Sequence, residues 1–283
     1  MRRRRLTKEL GSEPDGPDRS CFVARRPGPR RNHAPPGRIH QRRADRAVRR
    51  LDTAGHHVVL ATGRSSATTI PVLDELGIAP RFLVCSNGAV TLHRDPGGYR
   101  REWVESFDPA EVLRSIRAHL VNVRFAVEDE AGRYRYAEPF PPATTGLDSE
   151  QVQVAFEELW DRRATRVVAV SPGHGLDDFL AVVEKMGLRR VSYAIGWTAW
   201  LDIAAEGVNK ATAVERVRAE LDIRRDRVMA VGDGHNDVEL ISWGAESGRG
   251  VAMGHSPVEL IEAASEITGS VHEDGLAQVL STL

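Results

Sequence analysis

Three short, continuously apolar runs each close on small polar residues. Val58 to Ala61 ends at Thr62-Gly63-Arg64, Phe82 to Cys85 at Ser86-Asn87-Gly88, and Val228 to Val231 at Gly232-Asp233-Gly234. Runs that are apolar at every position read as strands buried on both faces, and such strands belong to parallel sheets covered by helices. Helical patterns lie between them. Ala44, Ala47, Val48, Leu51 and Ala54 form one apolar face that stops at Gly55, and Val72, Leu73 and Leu76 lead to Gly77. A third helix is expected from about Lys210 to Leu221. Strands alternating with helices predict a doubly wound, Rossmann-like α/β core.

The pattern changes after Val90. Val123 to Val127 and Tyr134 to Ala137 flank Glu130-Ala131-Gly132 as an antiparallel hairpin. Asp108-Pro109-Ala110-Glu111 opens a helix continuing through Val112, Ile116 and Leu120. Val167 to Val170, a helix near Asp177 to Met186, and Val191 to Ile195 complete a mixed α/β insert. The expected organisation is a core of residues 44–88 and 205–283 interrupted by an inserted domain of residues 89–204, after an atypical segment of residues 1–43.

Composition narrows the class. Charged residues make up 28% and apolar residues 41%, as in ordinary soluble domains, and no apolar run is long enough to span a membrane. Arg2 to Arg5 lead into Thr7, Lys8, Glu9 and Gly11 with no export signal, so a cytoplasmic location is the default. Cys21 and Cys85 offer neither a disulfide framework nor metal-ligand spacing. The net charge of −1 hides an asymmetry: residues 1–50 carry fifteen Arg and one Lys against five acids, a net of +11, and the remainder carries −12. A basic arm on an acidic body is one way to bind nucleic acid. The same stretch holds six of the fifteen prolines and little apolar periodicity, which fits a disordered tail instead. Nucleic acid is the less favoured partner, and the sequence carries no signal of oligomeric state.

The polar tripeptides carry the chemistry. In Gly232-Asp233-Gly234-His235-Asn236-Asp237 two carboxylates four residues apart can face one hard cation, although an Asp/Gly-rich turn opening a helix has the same composition. Thr62-Gly63-Arg64 offers a hydroxyl and backbone N–H groups that suit a phosphate, and such tripeptides also simply cap helices. Ser86-Asn87-Gly88 alone is a turn, and Lys210 alone is a surface lysine. Their shared placement, where a strand ends or the next helix begins, is where open α/β sheets bind ligands.

In this order, with Gly207-Val208-Asn209-Lys210 and Ala252-Met253-Gly254, the motifs resemble the haloacid dehalogenase superfamily, and more closely its Cof-type, subclass IIB branch with a large α/β cap. The resemblance covers residue 44 to the end, with His255 where that branch more often has Asn. It implies Mg2+-dependent hydrolysis of a small phosphorylated metabolite, such as a sugar phosphate, through an aspartyl-phosphate. Thr62 would hold the transferring phosphoryl oxygens and Lys210 would pair with phosphate and nucleophile. Asp233 would ligate the metal, with Asp237 and Asn236 completing or orienting its shell. Gly63, Arg64, Ser86, Asn87 and Gly88 would line the phosphate end of the substrate pocket, and the cap would choose the leaving group.

One part is missing. The family's nucleophile lies in an Asp-x-Asp-Gly-Thr motif ending the first strand, upstream of Thr62. Here the window from Cys21 to Asn32 contains no acid, and the upstream Asp15-Gly16 is flanked by prolines rather than preceded by a buried strand. Such a chain is expected to be inactive, and the alternative function is a non-catalytic phosphometabolite-binding protein. The genetic code offers an account. If Arg25 through Pro36 use CGN, CCN, GGN, AAY, CAY and GCN codons, the frame one nucleotide later permits Val-Ala-Leu-Asp-Leu-Asp-Gly-Thr-Met-Leu. The hypothesis is that residues 19–43 are a frame-shifted translation of a genuine first motif. Genomic sequencing across codons 15 to 50 should find an Asp-Leu-Asp-Gly-Thr-type motif in the adjacent frame. Nucleotides that encode no such acids there would sink the idea.

Overall fold

The computed structural model describes residues 21–24, 38–120, 122–140, 151–172, 176–186, 191–195 and 200–283. Most of the basic segment 1–43, including the window that follows Ala24, lies outside the described residues.

Eight strands form the first sheet. In chain order its first half comprises β1 (Cys21–Ala24), α1 (Arg38–Thr53), β2 (His57–Ala61), α2 (Ser66–Leu76), β3 (Phe82–Cys85), β4 (Val90–Asp95) and β5 (Gly98–Val104). A second unit follows: α3 (Ala110–His119), β6 (Arg124–Asp129), β7 (Tyr134–Tyr136), β8 (Gln151–Gln153), β9 (Ala164–Val170), α4 (Leu176–Met186), β10 (Val191–Ile195) and β11 (Trp200–Ala205). The chain then returns through α5 (Lys210–Glu220), β12 (Val228–Gly232), α6 (Val238–Ala245), β13 (Arg249–Met253), α7 (Val258–Ala263), β14 (Glu266–Thr268) and α8 (Gly275–Leu280).

The first sheet runs β14-β13-β12-β1-β2-β3-β4-β5, parallel from β14 to β3. Because β3 and the inner residues of β2 and β12 are apolar in succession, both faces there need cover. Val48 and Leu51 of α1, Leu73 of α2 and Leu280 of α8 pack on one face, and Val214 of α5, Ile241 of α6 and Leu260 of α7 on the other. The predicted doubly wound core is therefore present. The chain leaves β1 toward β2 on one side and later returns to β12 on the other, so the strand order reverses beside β1.

The structure extends this sheet further than the sequence pattern indicated. Residues 90–104, read as the start of the insert, form β4 and β5, which pair antiparallel onto β3 and onto each other. Buried Val90 and Leu92 tie β4 to the core, and the tight Pro96-Gly97 turn lets β5 fold straight back. Helix α1 also starts earlier than its apolar stripe, since Arg and Gln are good helix formers that leave no apolar signature.

The second sheet runs β10-β11-β9-β6-β7-β8 and is antiparallel apart from β7 with β8. Helices α3 and α4 cover one face through Leu113, Ile116, Phe179 and Val183. Its other face carries Ala126, Tyr134, Val168 and Val170, and by the two-residue period of a strand also Glu128, Arg166 and Asp202. Among the described residues, no helix is long and apolar enough to cross a membrane.

One close approach locks the returning helix to the turn after β3. Gly88 has φ +105°, and a Cβ there would sit 2.2 Å from the Asn209 carbonyl oxygen. Gly88→Ala combines backbone strain with that clash and should lower unfolding free energy by about 2–4 kcal/mol in urea titrations. Unchanged stability would show that the α5 start is not held against this turn.

Candidate active site

Three strand ends and one helix start converge at the C-terminal edge of the parallel sheet. The first two loops interlock through their backbones: Thr62 donates to Val84 O at 2.9 Å, Ser86 to Arg64 O at 2.8 Å, and Asn87 to Thr62 O at 3.0 Å. Arg64 N donates to Thr62 Oγ1 at 3.1 Å, and Ser65 caps α2 through a bond from Thr68 N. The turn after β3 is left-handed at three successive residues, Ser86 (φ 49°), Asn87 (φ 53°) and Gly88 (φ 105°). Such backbone is sustained where side chains pin it. Asn236 Nδ2 donates to Asn87 Oδ1 at 2.8 Å, and Ser86 Oγ donates to Glu128 Oε2 at 2.7 Å.

Asn209 caps α5: its Oδ1 accepts from Thr212 N at 3.0 Å, while Asn209 N donates to Thr212 Oγ1 at 3.1 Å. This fixes Lys210 as the first residue of the helix, buried to 1% exposure, with Nζ 2.5 Å from Asp237 Oδ1. The other Asp237 oxygen accepts from Asp233 N at 3.1 Å and Gly234 N at 3.0 Å. Asp237 is wholly buried and faces the lysine and its own loop. Asp233, at the end of β12, has its Oδ2 3.4 Å from His255 Nε2.

The expected residues therefore come together: Thr62, Gly63, Arg64, Ser86, Asn87, Gly88, Lys210, Asp233, Asn236 and Asp237 all lie at strand ends, turns and one helix start along one sheet edge. A cavity of about 210 Å³ opens there, lined on the core side by Ser86, Asn87, Lys210 and Asn236. Its opposite wall is the second sheet, with Arg166, Ser192 and Asp202. Sequence reasoning missed that wall. The available signal was a charged residue inside otherwise apolar strands, as in Thr165-Arg166-Val167 and Leu201-Asp202-Ile203.

Those charges form one network. Arg166 Nε donates to Asp202 Oδ1 at 2.6 Å, Arg166 Nη1 to Tyr134 OH at 3.1 Å, and Tyr134 OH to Glu128 Oε2 at 3.1 Å. Burial works against the Arg166 charge, but Asp202, Tyr134 and Glu128 together more than offset it and hold its pKa above the ordinary value. Burial pushes the Glu128 carboxyl up, against the Ser86 hydrogen bond and the nearby Arg166. Glu128 Oε1 has no hydrogen-bond partner among the described residues.

A family model for haloacid dehalogenase-like hydrolases matches residues 36–280, a span that begins after the acid-free window. Among curated relatives, a 5-amino-6-(5-phospho-D-ribitylamino)uracil phosphatase of Bacillus subtilis is 24% identical, covering 83% of this chain and 85% of that protein. A phosphoglycolate phosphatase of Natronomonas pharaonis is 27% identical over 79% and 82%. Among solved structures, a haloacid dehalogenase-like hydrolase from B. subtilis has a TM-score of 0.73 at 18% identity, over 93% of this chain and 99% of that one. A HAD subclass IIB sugar phosphatase has a TM-score of 0.73 at 17% identity, over 93% and 98%.

The raised Glu128 pKa has a consequence for stability. The native state holds this proton above the ordinary value of 4.5, so it binds more protons than the unfolded chain. The associated stability is complete below that value and is lost as pH rises through the folded pKa. Glu128→Gln removes the titration while keeping an acceptor for Ser86. Thermal denaturation from about pH 4.5 to about pH 8 should show Tm falling less steeply with pH in the variant than in the parent. Equal slopes would mean that Glu128 ionises as freely as an exposed carboxyl.

Proposed function

The chain belongs to the haloacid dehalogenase-like hydrolases, and within that family we propose that its site is that of a magnesium-dependent, cytoplasmic phosphatase of small phosphorylated metabolites. The second unit, from about residue 105 to residue 204, acts as the cap over this site. The chain keeps the anion-binding half of the site and lacks the attacking carboxylate. The observation that supports the reading is the convergence of Thr62, Asn87, buried Lys210 and Asp233 on one edge of the sheet, where Asn87 and Lys210 line the cavity and Asp237 fixes Lys210.

Phosphoryl transfer needs positioning and charge neutralisation more than elaborate bond chemistry. Thr62 and the turn at Ser86 and Asn87 would hold the phosphoryl oxygens, and Lys210 would neutralise their charge. The donor set suits magnesium in part. Asp233 is a hard oxygen donor at a strand end, and magnesium commonly takes only one or two carboxylates besides water and substrate phosphate. Among the described residues no group of three His, Cys, Asp or Glu side chains forms a metal cluster. Asp233, with Asn236 beside it, would hold the ion, which when bound would stabilise developing charge on the phosphoryl group. No acid occurs from Cys21 to Asn32, so no residue of that window can form an aspartyl-phosphate. The non-catalytic reading, a phosphometabolite-binding protein, rests on that same absence of an acid. The relatives' names, one for a phosphoribitylamino-uracil and one for phosphoglycolate, leave the leaving group open.

Calorimetric titration of the 283-residue chain with inorganic phosphate and magnesium should show binding, which Lys210→Ala weakens by on the order of tenfold or more. Hydrolysis of a phosphomonoester panel should stay near background. A robust rate abolished by chelation and by Lys210→Ala would show that another residue supplies the nucleophile. Absence of phosphate binding would overturn the site itself.

A further inference from the structure

The cavity wall furnished by the second sheet is built, and nothing in the phosphate chemistry uses it. Asp202 lies in β11 between apolar neighbours, and its side chain retains 14% exposure where it lines the cavity. Arg166 clamps one of its oxygens, Oδ1, through both Nε and Nη2 at 2.6 Å. The other oxygen accepts no hydrogen bond from the described residues. The clamp is itself immobilised, because Arg166 also donates to Tyr134 OH, and Tyr134 and Ser86 both donate to Glu128 Oε2. One continuous set of hydrogen bonds thus runs from the phosphate-side turn to Asp202 and fixes the distance between them.

Taking the phosphate reading above as its basis, we propose that Asp202 is a specificity-determining residue that accepts a hydrogen bond from a hydroxyl of the leaving group, selecting neutral polyol phosphates over ligands with a second anionic group. The charges on this wall set the direction of the preference. The Arg166 guanidinium is spent on Asp202, and Glu128 lies on the far side of Arg166, so a second phosphate or carboxylate would meet an acceptor. A hydroxyl meets what it needs: an acceptor at Asp202, and at Ser192 on the same wall a group that both donates and accepts.

The test is calorimetric titration of the full chain with sorbitol 6-phosphate, phosphoglycolate and inorganic phosphate, in the parent and in Asp202→Asn. The parent should bind sorbitol 6-phosphate on the order of tenfold more tightly than phosphoglycolate, the scale of a hydrogen bond to a charged acceptor. Asp202→Asn should lose that preference while binding inorganic phosphate unchanged. If the parent shows no preference, or the variant keeps it, the inference is overturned while the phosphate site stands. If inorganic phosphate does not bind at all, the phosphate site fails and this inference falls with it. Should Asp202→Asn not fold, Ser192→Ala, which leaves the Arg166–Asp202 pair intact, decides the matter. A reduced preference supports the assignment, and an undiminished one overturns it.

Discussion

The site is organised around the ion pair between Lys210 and Asp237, two side chains with 1% and 0% exposure. Removing both charges from water costs several kcal/mol, and their attraction offsets this only when the remaining lone pairs and protons are also satisfied. Asp237 meets that condition by accepting two backbone N–H groups from its own loop. One carboxylate therefore does two things. It holds the start of α5 against the end of β12, and it curls the Gly232-Asp233-Gly234 loop so that Asp233 sits at the sheet edge. Gly232 is part of this arrangement, since a Cβ there would lie 2.6 Å from Asp237 Cβ. A buried pair is weak evidence for net stability. It is better understood as fixing a cation at one position at the sheet edge.

From this centre the constraints propagate through hydrogen bonds to neighbouring loops. Asn236, next to Asp237, reaches Asn87, and the left-handed turn holding Asn87 is anchored on its other side by Ser86 to Glu128. The second contact crosses from the core sheet to the second sheet. It joins the turn after β3 to a strand whose next neighbour carries Arg166. The two sheets have separate apolar cores, each with its own covering helices. The Ser86–Glu128 bond is thus a polar connection between units whose hydrophobic interiors are independent. Burying Glu128 at a mixed polar junction raises its pKa, because desolvation there is only partly countered by hydrogen bonds.

Much of this was legible in the sequence, for identifiable reasons. Strand β3 falls at Phe82–Cys85 as its apolar run indicated, because a strand covered on both faces leaves an unbroken apolar signature, and β10 falls at Val191–Ile195, as expected. Local chemistry also read through: Asp108 Oδ1 accepts from Ala110 N at 2.9 Å at the start of α3, and Gly77 closes α2 with φ 65°. What could not be read was pairing. Val90 and Leu92 look alike whether they extend one sheet or found another, and only the turn into β5 settles it. The wall of Arg166 and Asp202 was hidden for the same reason. Each is a single charge within an apolar strand, and their partnership exists only once β9 and β11 pair, two residues out of direct register.

The first strand shows where main-chain and side-chain requirements part. Cys21–Ala24 pairs in parallel with both β12 and β2, and Ala24 is level with Val231 and Leu60. Backbone hydrogen bonding places no demand on which side chains a strand carries, so four residues suffice to fill the central slot of the sheet. That slot adjoins the point where strand order reverses, and its C-terminal end stands one residue short of the level of Gly232, immediately before Asp233. Phosphoryl transfer through a covalent intermediate asks for an oxygen nucleophile beside that carboxylate. In this sequence the residues after Ala24 are Arg25 and Arg26, groups that stay protonated and only donate. In the adjacent reading frame the codons at Gly28 and Arg30 can supply aspartates.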